Sequence, residues 1–153
     1  MGVEEVRKYF QSNNFDFQVH EFEASTATVE LAAQALGVEP ALIAKTMSFK
    51  LKDGENILIL AAGDRKVDNR KFKDYFQVKA KMLDQDEVLE ITGHPVGGVC
   101  PFGLKQQLNV YLDISLTEYE FIYPAAGSPK SAVKMTPAEL KQVTDGKWVD
   151  VCK

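Results

Sequence analysis

Apolar residues fall at Val3, Val6, Tyr9 and Phe10, the spacing of one helix face, and the pattern stops at Asn13-Asn14. Phe15, Phe17, Val19 and Phe22 then nearly alternate with polar residues, which predicts a short strand. Thr28 to Leu36 reads as a second helix, with Ser25, Thr26 or Thr28 available as its N-cap and Gly37 as its stop. Pro40 opens one helical turn. Met47, Phe49 and Leu51 then alternate with Thr46, Ser48 and Lys50, Asp53-Gly54 is a hairpin signal, and Ile57 to Ala62 is the returning buried strand.

Asn69 to Phe76 is a short helix with basic residues on its outer face. Asp84-Gln85-Asp86-Glu87 is a capping box that starts a helix running through Ile91. Three short strands are expected at Val110–Leu112, Glu120–Tyr123 and Ala132–Met135. Thr136-Pro137-Ala138-Glu139 is the strongest local signal: a Thr cap, Pro at the first helical position and Glu three residues after the cap. Trp148, Val149 and Val151 suggest a last strand. Helices and strands are interspersed with at least one hairpin, which predicts an α+β domain, a mixed sheet with flanking helices.

The 153 residues form one expected domain, 1–153, with no repeat, linker or low-complexity tract. Hydrophobic residues make up 45% and charged residues 26%, a globular balance that excludes a disordered chain. No apolar run approaches the roughly 18 residues of a membrane span. Met1 to Phe10 lacks the apolar core of an export signal. Two cysteines, Cys100 and Cys152, make no disulfide framework and no C-x-x-C, so a cytoplasmic setting is expected. The net charge is −4, which argues against bulk attraction to nucleic acid. Between Arg65 and Lys81, however, seven basic residues face only Asp68 and Asp74. Such a patch on an acidic protein suits either a phosphate backbone or a plain solvated helix face.

Three segments carry candidate chemistry. Lys45 stands where a helical turn passes into an apolar strand. A partly desolvated lysine there would act as a base or bind a developing oxyanion, and a snorkelling surface lysine is the bland alternative. Gly93-His94-Pro95-Val96-Gly97-Gly98-Val99-Cys100-Pro101-Phe102-Gly103 has four glycines and two prolines, a fixed path able to aim amide donors at a reacting carbonyl or simply to make a bulged turn. Pro124-Ala125-Ala126-Gly127-Ser128-Pro129 is a loop of small residues. Cys100 with His94 is a weaker candidate, a thiol nucleophile pair. His20 and His94 have no clustered third ligand, so a metal site is not expected. No phosphate-binding glycine motif is present.

Taken in order, several pieces resemble the YbaK/ProX family of aminoacyl-tRNA deacylases, which includes the editing insertion of bacterial prolyl-tRNA synthetases. They are Val19-His20-Glu21-Phe22, Leu36-Gly37-Val38 leading to Lys45-Thr46, Asp64-Arg65-Lys66-Val67-Asp68, Thr92-Gly93, Gly97 to Gly103 with the G-x-x-x-P signature at Gly97–Pro101, Tyr111-Leu112-Asp113, and Tyr123 with Ala126-Gly127. The resemblance runs from about Phe15 to Val151.

It implies a bifurcated, partly barrel-like sheet, hydrolysis of the ester joining an amino acid to the terminal ribose of tRNA, and no metal or organic cofactor. Lys45 matches the functional lysine. Gly97, Gly98, Val99, Cys100, Pro101, Phe102 and Gly103 match the segment holding the aminoacyl group, with the Gly97 and Gly98 amides expected to fix its carbonyl. Phe22, Thr46, Ala126 and Gly127 match pocket positions. Arg65, Lys66, Arg70, Lys71 and Lys73 are the expected tRNA contacts. The acceptor end of aminoacyl-tRNA, and an aminoacyl-tRNA synthetase, are the expected partners.

The chain departs from the cysteinyl-tRNA deacylase branch. Phe22 stands for its tyrosine, Gly93-His94 for its Gly-Tyr, and Ala125 and Ala132 for polar residues. The pocket should therefore be less polar on one side, and alanine, serine or threonine suits it as well as cysteine. One methylene is worth only about 1–3 kcal/mol, the setting in which a second editing site is needed. Two other readings share these residues: a non-catalytic module binding tRNA or an amino acid, and an esterase independent of tRNA.

Overall fold

The computed structural model describes residues 2–153. Along them run α1 (Val3–Ser12), β1 (His20–Glu21), α2 (Val29–Leu36), β2 (Ile43–Lys50), β3 (Asn56–Ala62), α3 (Asn69–Phe76), α4 (Gln85–Thr92), β4 (Asn109–Asp113), β5 (Tyr123–Pro124), β6 (Ser131–Ala132), α5 (Pro137–Thr144) and β7 (Lys147–Val149).

Side-chain caps set the starts of α2, α3, α4 and α5. Thr28 accepts from the Leu31 amide at the head of α2, and Gly37 closes that helix in the left-handed region at φ 70°. Asp68 accepts from the Arg70 and Lys71 amides. Reciprocal capping boxes form at Asp84/Glu87 and Thr136/Glu139. Each cap stabilises its helix by about 1 kcal/mol.

Five strands make a mixed sheet in the order β5-β2-β3-β4-β7. β2 and β3 form an antiparallel hairpin, and the other neighbours run parallel. β3 lies at the centre. Leu58, Leu60 and Ala62 face a core with Phe10, Phe102, Leu112 and Leu140, while Ile57, Ile59 and Ala61 face a second core with Phe49, Phe72 and Val151. A strand buried on both faces needs a continuous apolar run rather than alternation, which Ile57–Ala62 supplies.

At β5 the sheet forks. Tyr123 and Pro124 lie beside Ile43 and Ala44 of β2. On the other side the Val133 amide donates to the Pro124 carbonyl (3.0 Å), and Ile122 and Met135 exchange amide bonds. That segment leads back into β6, which pairs with β1.

Three expectations are corrected. The predicted strand Phe15–Phe22 reduces to His20–Glu21; Phe15, Phe17 and Val19 lie half-buried against the core beside Phe10, so their alternation reflects one-sided burial without a ladder partner. Of Glu120–Tyr123, Tyr123 joins β5 and the buried Ile122 makes a single bridge to Met135, while Glu120 and Phe121 are exposed and outside any strand. Val151 leaves β7. Val151–Lys153 instead pairs with Lys66–Asp68, and the buried Asp113 carboxylate accepts the Val151 (2.9 Å), Cys152 (3.2 Å) and Ser115 (2.9 Å) amides.

Candidate active site

The outer edge of β2 is covered in two places. β5 covers Ile43 and Ala44. Lys81–Leu83 covers the far end, where the Lys50 amide donates to the Lys81 carbonyl (2.9 Å) and the Leu83 amide to the Ser48 carbonyl (3.2 Å). Between them the edge opens on a cavity of about 290 Å³. Val29 and Ala32 of α2, with Tyr123, wall one side. Gly97 and Val99, with Ala125, Ser131 and Ala132, wall the other, and Met82, Leu83 and Val88 close the end.

Lys45 lines this cavity on the sheet face opposite to Thr46, since adjacent strand residues point to opposite faces. Its Nζ donates to the Arg65 carbonyl. Burial pushes the lysine pKa down; nearby Cys152, Asp64 and Glu30 pull it back, and Lys66 lowers it further. The Arg65 carbonyl is itself set by the C-terminal pairing, because the Lys66 and Lys153 amides and carbonyls bond each other. A half-buried ammonium at the wall of an apolar cavity can stabilise negative charge strongly, with little water to screen it. Thr46 Oγ1 is buried without a hydrogen-bond partner.

The glycine loop is closed from behind. The fully buried His94 ring places Nε2 2.7 Å from the Phe102 carbonyl, and Cys100 Sγ donates to the same oxygen at 3.6 Å. Burial lowers the His94 pKa. A β-carbon on Gly98 would lie 2.5 Å from the Ser128 backbone, so this glycine permits the close contact of the two loops. Gly98 accepts from the Gly127 amide (3.0 Å) and donates to the Pro95 carbonyl (2.9 Å). The Gly98 N–H is therefore spent inside the loop and does not reach the cavity as a donor. Gly97 and Val99 are at the wall, and their amides donate to no backbone carbonyl among the described residues.

The structure thus brings Lys45, Thr46, Gly97 and Val99 together around the cavity. Gly98, Cys100, Pro101, Phe102 and Gly103 lie behind the wall. Cys100 and Phe102 are core residues, and Gly103 packs on the Glu5 backbone of α1. Burial raises the Cys100 thiol to about 12, which removes it as a nucleophile at neutral pH. Ala126 is buried in the core and Gly127 backs onto Gly98; Ala125 is the residue of that loop at the cavity. Phe22 is half-buried outside the cavity wall, its amide bonded to the Lys130 carbonyl (2.8 Å).

Residues that sequence reasoning did not assign to the site include Thr26, Ser131, Met82, Leu83 and Val88. Thr26 and Ser131 exchange two hydrogen bonds, Oγ1 to carbonyl at 3.2 Å and amide to Oγ1 at 3.0 Å, and so fasten the head of α2 to β6. A threonine beside a helix start signals a cap as readily as this bridge. Met82 and Leu83 carried no signal, because their place comes from bonding to β2.

In the basic segment, Arg65 is paired with Glu118 (2.8 Å) and Asp64 (3.7 Å), and Lys71 with Asp150 (3.0 Å). Lys66, Arg70 and Lys73 are exposed and form no salt bridge among the described residues. In that same set no cluster of three His, Cys, Asp or Glu could hold a metal ion, and no helix is long and apolar enough to cross a membrane.

Comparison with known proteins agrees with this architecture. Residues 23–143 match the family described as "Aminoacyl-tRNA editing domain". An "Uncharacterized protein YwhH" of Bacillus subtilis (strain 168) is 49% identical, with 100% of this chain and 98% of that protein covered. A "Putative Cys-tRNA(Pro)/Cys-tRNA(Cys) deacylase EbsC" of Enterococcus faecalis (strain ATCC 700802 / V583) is 26% identical over 81% of this chain and 76% of that one. Among solved structures, a "putative trans-editing enzyme for prolyl tRNA synthetase" superposes with a TM-score of 0.91 at 31% identity, covering 99% of this chain and 97% of that one. The fold, the forked sheet and the matched span make this chain a member of the aminoacyl-tRNA editing domain family.

Proposed function

We propose that the chain is a trans-editing aminoacyl-tRNA deacylase. It hydrolyses the ester of a mischarged tRNA, with tRNA for proline carrying alanine, cysteine, serine or threonine as the expected substrate. The observation that carries this reading is the cavity at the open edge of β2, where Lys45 and the glycine loop meet across a space of about 290 Å³.

An aminoacyl ester is already activated, so the site has to position it, stabilise the oxyanion and admit water. Water attacks the carbonyl carbon, the ester C–O bond breaks, the ribose oxygen leaves with a proton, and the amino acid is released. The Gly97 and Val99 amides are the loop donors left for the carbonyl oxygen. Lys45 would exchange its Arg65 partner for the ribose or the carbonyl oxygen. Lys66, Arg70 and Lys73 are the free cations for the tRNA backbone, and Arg65 and Lys71 would first have to leave their carboxylates. A cytoplasmic role beside an aminoacyl-tRNA synthetase fits this chemistry.

The test is deacylation of Cys-, Ala-, Ser-, Thr- and Pro-tRNA, on tRNA for proline and on each cognate tRNA, by wild type and Lys45→Ala. Release of one or two small amino acids, lost in Lys45→Ala, is the expected result. A folded wild type that releases none refutes the proposal. Charge reversal at Lys66, Arg70 and Lys73 should weaken activity on tRNA and spare a small aminoacyl ester; equal losses on both would refute the tRNA contact.

A further inference from the structure

Backbone groups of a strand residue point to one side, and the side alternates along the strand. On β2 the Ser48 carbonyl and Lys50 amide point outward, since they bond Leu83 and Lys81. Thr46, two residues earlier, must also present its N–H and C=O outward, away from β3. No described group bonds either one, and they open into the cavity between the Ala44 and Ser48 pairings. Four residues of strand span about 13 Å, room for one added residue and its flanking atoms.

We infer that the aminoacyl group binds there as a single residue of an antiparallel strand opposite Thr46. This rests on the deacylase reading above and adds a backbone recognition element to it. In an antiparallel hydrogen-bonded pair, two facing residues exchange both bonds. The substrate's α-ammonium donates to the Thr46 carbonyl, and the Thr46 amide donates to the substrate's ester carbonyl.

Three features of the cavity fit this placement. The antiparallel direction carries the ester oxygen toward the Lys45 end of the edge and the ammonium toward Ser48. Side chains of facing residues lie on the same sheet face, so the amino-acid side chain joins that of Thr46 on the side of Val99. No carboxylate lines the cavity, so a carbonyl is the available acceptor for the ammonium. Recognition through the backbone is indifferent to the amino acid's side chain, which leaves selection to the volume on the Val99 side. The Thr46 N–H thus also supplies a donor to the substrate carbonyl, which the Gly98 amide, bonded to Pro95, cannot.

The experiment is amide hydrogen exchange by NMR on the wild-type chain, free and saturated with 3′-(L-alanylamino)-3′-deoxyadenosine, a non-hydrolysable amide; seryl and cysteinyl forms serve if the alanyl form does not bind. In the free chain the Thr46 amide should exchange at least tenfold faster than those of Lys45 and Met47, which bond β3. On binding it should slow at least tenfold while its neighbours do not change. The 3′-propionylamino analogue, which lacks the α-amino group, should bind at least tenfold more weakly. A bound probe that leaves Thr46 exchange unchanged, or equal affinity of the propionyl analogue, overturns the strand-edge placement and leaves the deacylase reading standing. Failure of every aminoacyl probe to bind overturns both.

Discussion

A methyl group added at Gly98 would separate two loops that must touch. Its carbon would lie 2.5 Å from the N, Cα and C atoms of Ser128, all of them backbone. Unstrained carbon contacts begin near about 3.5 Å, so Gly98→Ala must drive the loops about 1 Å apart. The hydrogen bond from the Gly127 amide to the Gly98 carbonyl lies across the same seam. Overpacking costs about 1–3 kcal/mol and the bond about 1 kcal/mol more, or about 2–4 kcal/mol together. For a chain of this size that lowers Tm by about 5–15 °C. Gly97 and Val99 flank the wedge and wall the cavity, and a displacement of about 1 Å costs about 100-fold in rate. Gly37→Ala is the comparison. Gly37 has φ +70° and nothing within 4 Å of its added carbon, and it lies outside the cavity wall, so it should lose only about 1–2 kcal/mol of stability and no activity. Thermal melts and deacylation rates of both variants decide the matter. Gly98→Ala with the wild-type Tm and a rate within threefold of wild type would refute the reasoning.

Burial holds the Lys45 pKa below the ordinary 10.5, so in an NMR titration of the lysine side chains Lys45 should lose its proton before the exposed lysines; titration at or above 10.5 would contradict its half-buried setting. His94 is also depressed, from 6.5, so as pH falls the unfolded chain takes up the proton first. Its contribution to stability is full above pH 6.5 and declines below it toward the folded-state pKa. His94→Gln should flatten that acid loss in Tm against pH, and an unchanged profile would show that His94 does not set it. Asp113→Ala strands three buried amides and should cost about 3–5 kcal/mol in urea unfolding, while Asp113→Asn, which retains one acceptor oxygen, should cost less than half as much. A loss below about 1 kcal/mol for Asp113→Ala would show that water replaces the carboxylate.

Elements governed by neighbouring residues were legible in the sequence. Thr28 and Gly37 bracket α2, Asp84 with Glu87 and Thr136 with Glu139 close capping boxes, and Asn69–Phe76 is a helix over the residues expected. What depends on distant partners was not. Phe15 and Phe17 alternate like strand residues but pack on α1, and only the Ser131–Ala132 backbone makes His20–Glu21 a strand. The site divides in the same way. Lys45 and the glycine loop carried a chemical signal, whereas the gap beside Thr46 arises from where β5 ends and Lys81–Leu83 begins. The resemblance named a contiguous run from Gly97 to Gly103, but a loop shows only some of its residues to a cavity. Cys100 and Phe102 are turned inward to hold the rest in place.

The central place of β3 has a consequence for how the chain reaches this state. Its hairpin with β2 is local and forms early, whereas its other neighbour, β4, pairs Asn109–Leu112 with Ile57–Leu60 only after a long stretch of intervening chain has been ordered. Until then the free edge of β3 is Ile57–Ala62, six apolar residues with no charge and no proline, a composition prone to pair with copies of itself. The segment that is least exposed in the finished protein is therefore the most hazardous one during synthesis. The flanking Glu55, Asp64 and Arg65 are the nearby charges available to discourage self-association until β4 arrives.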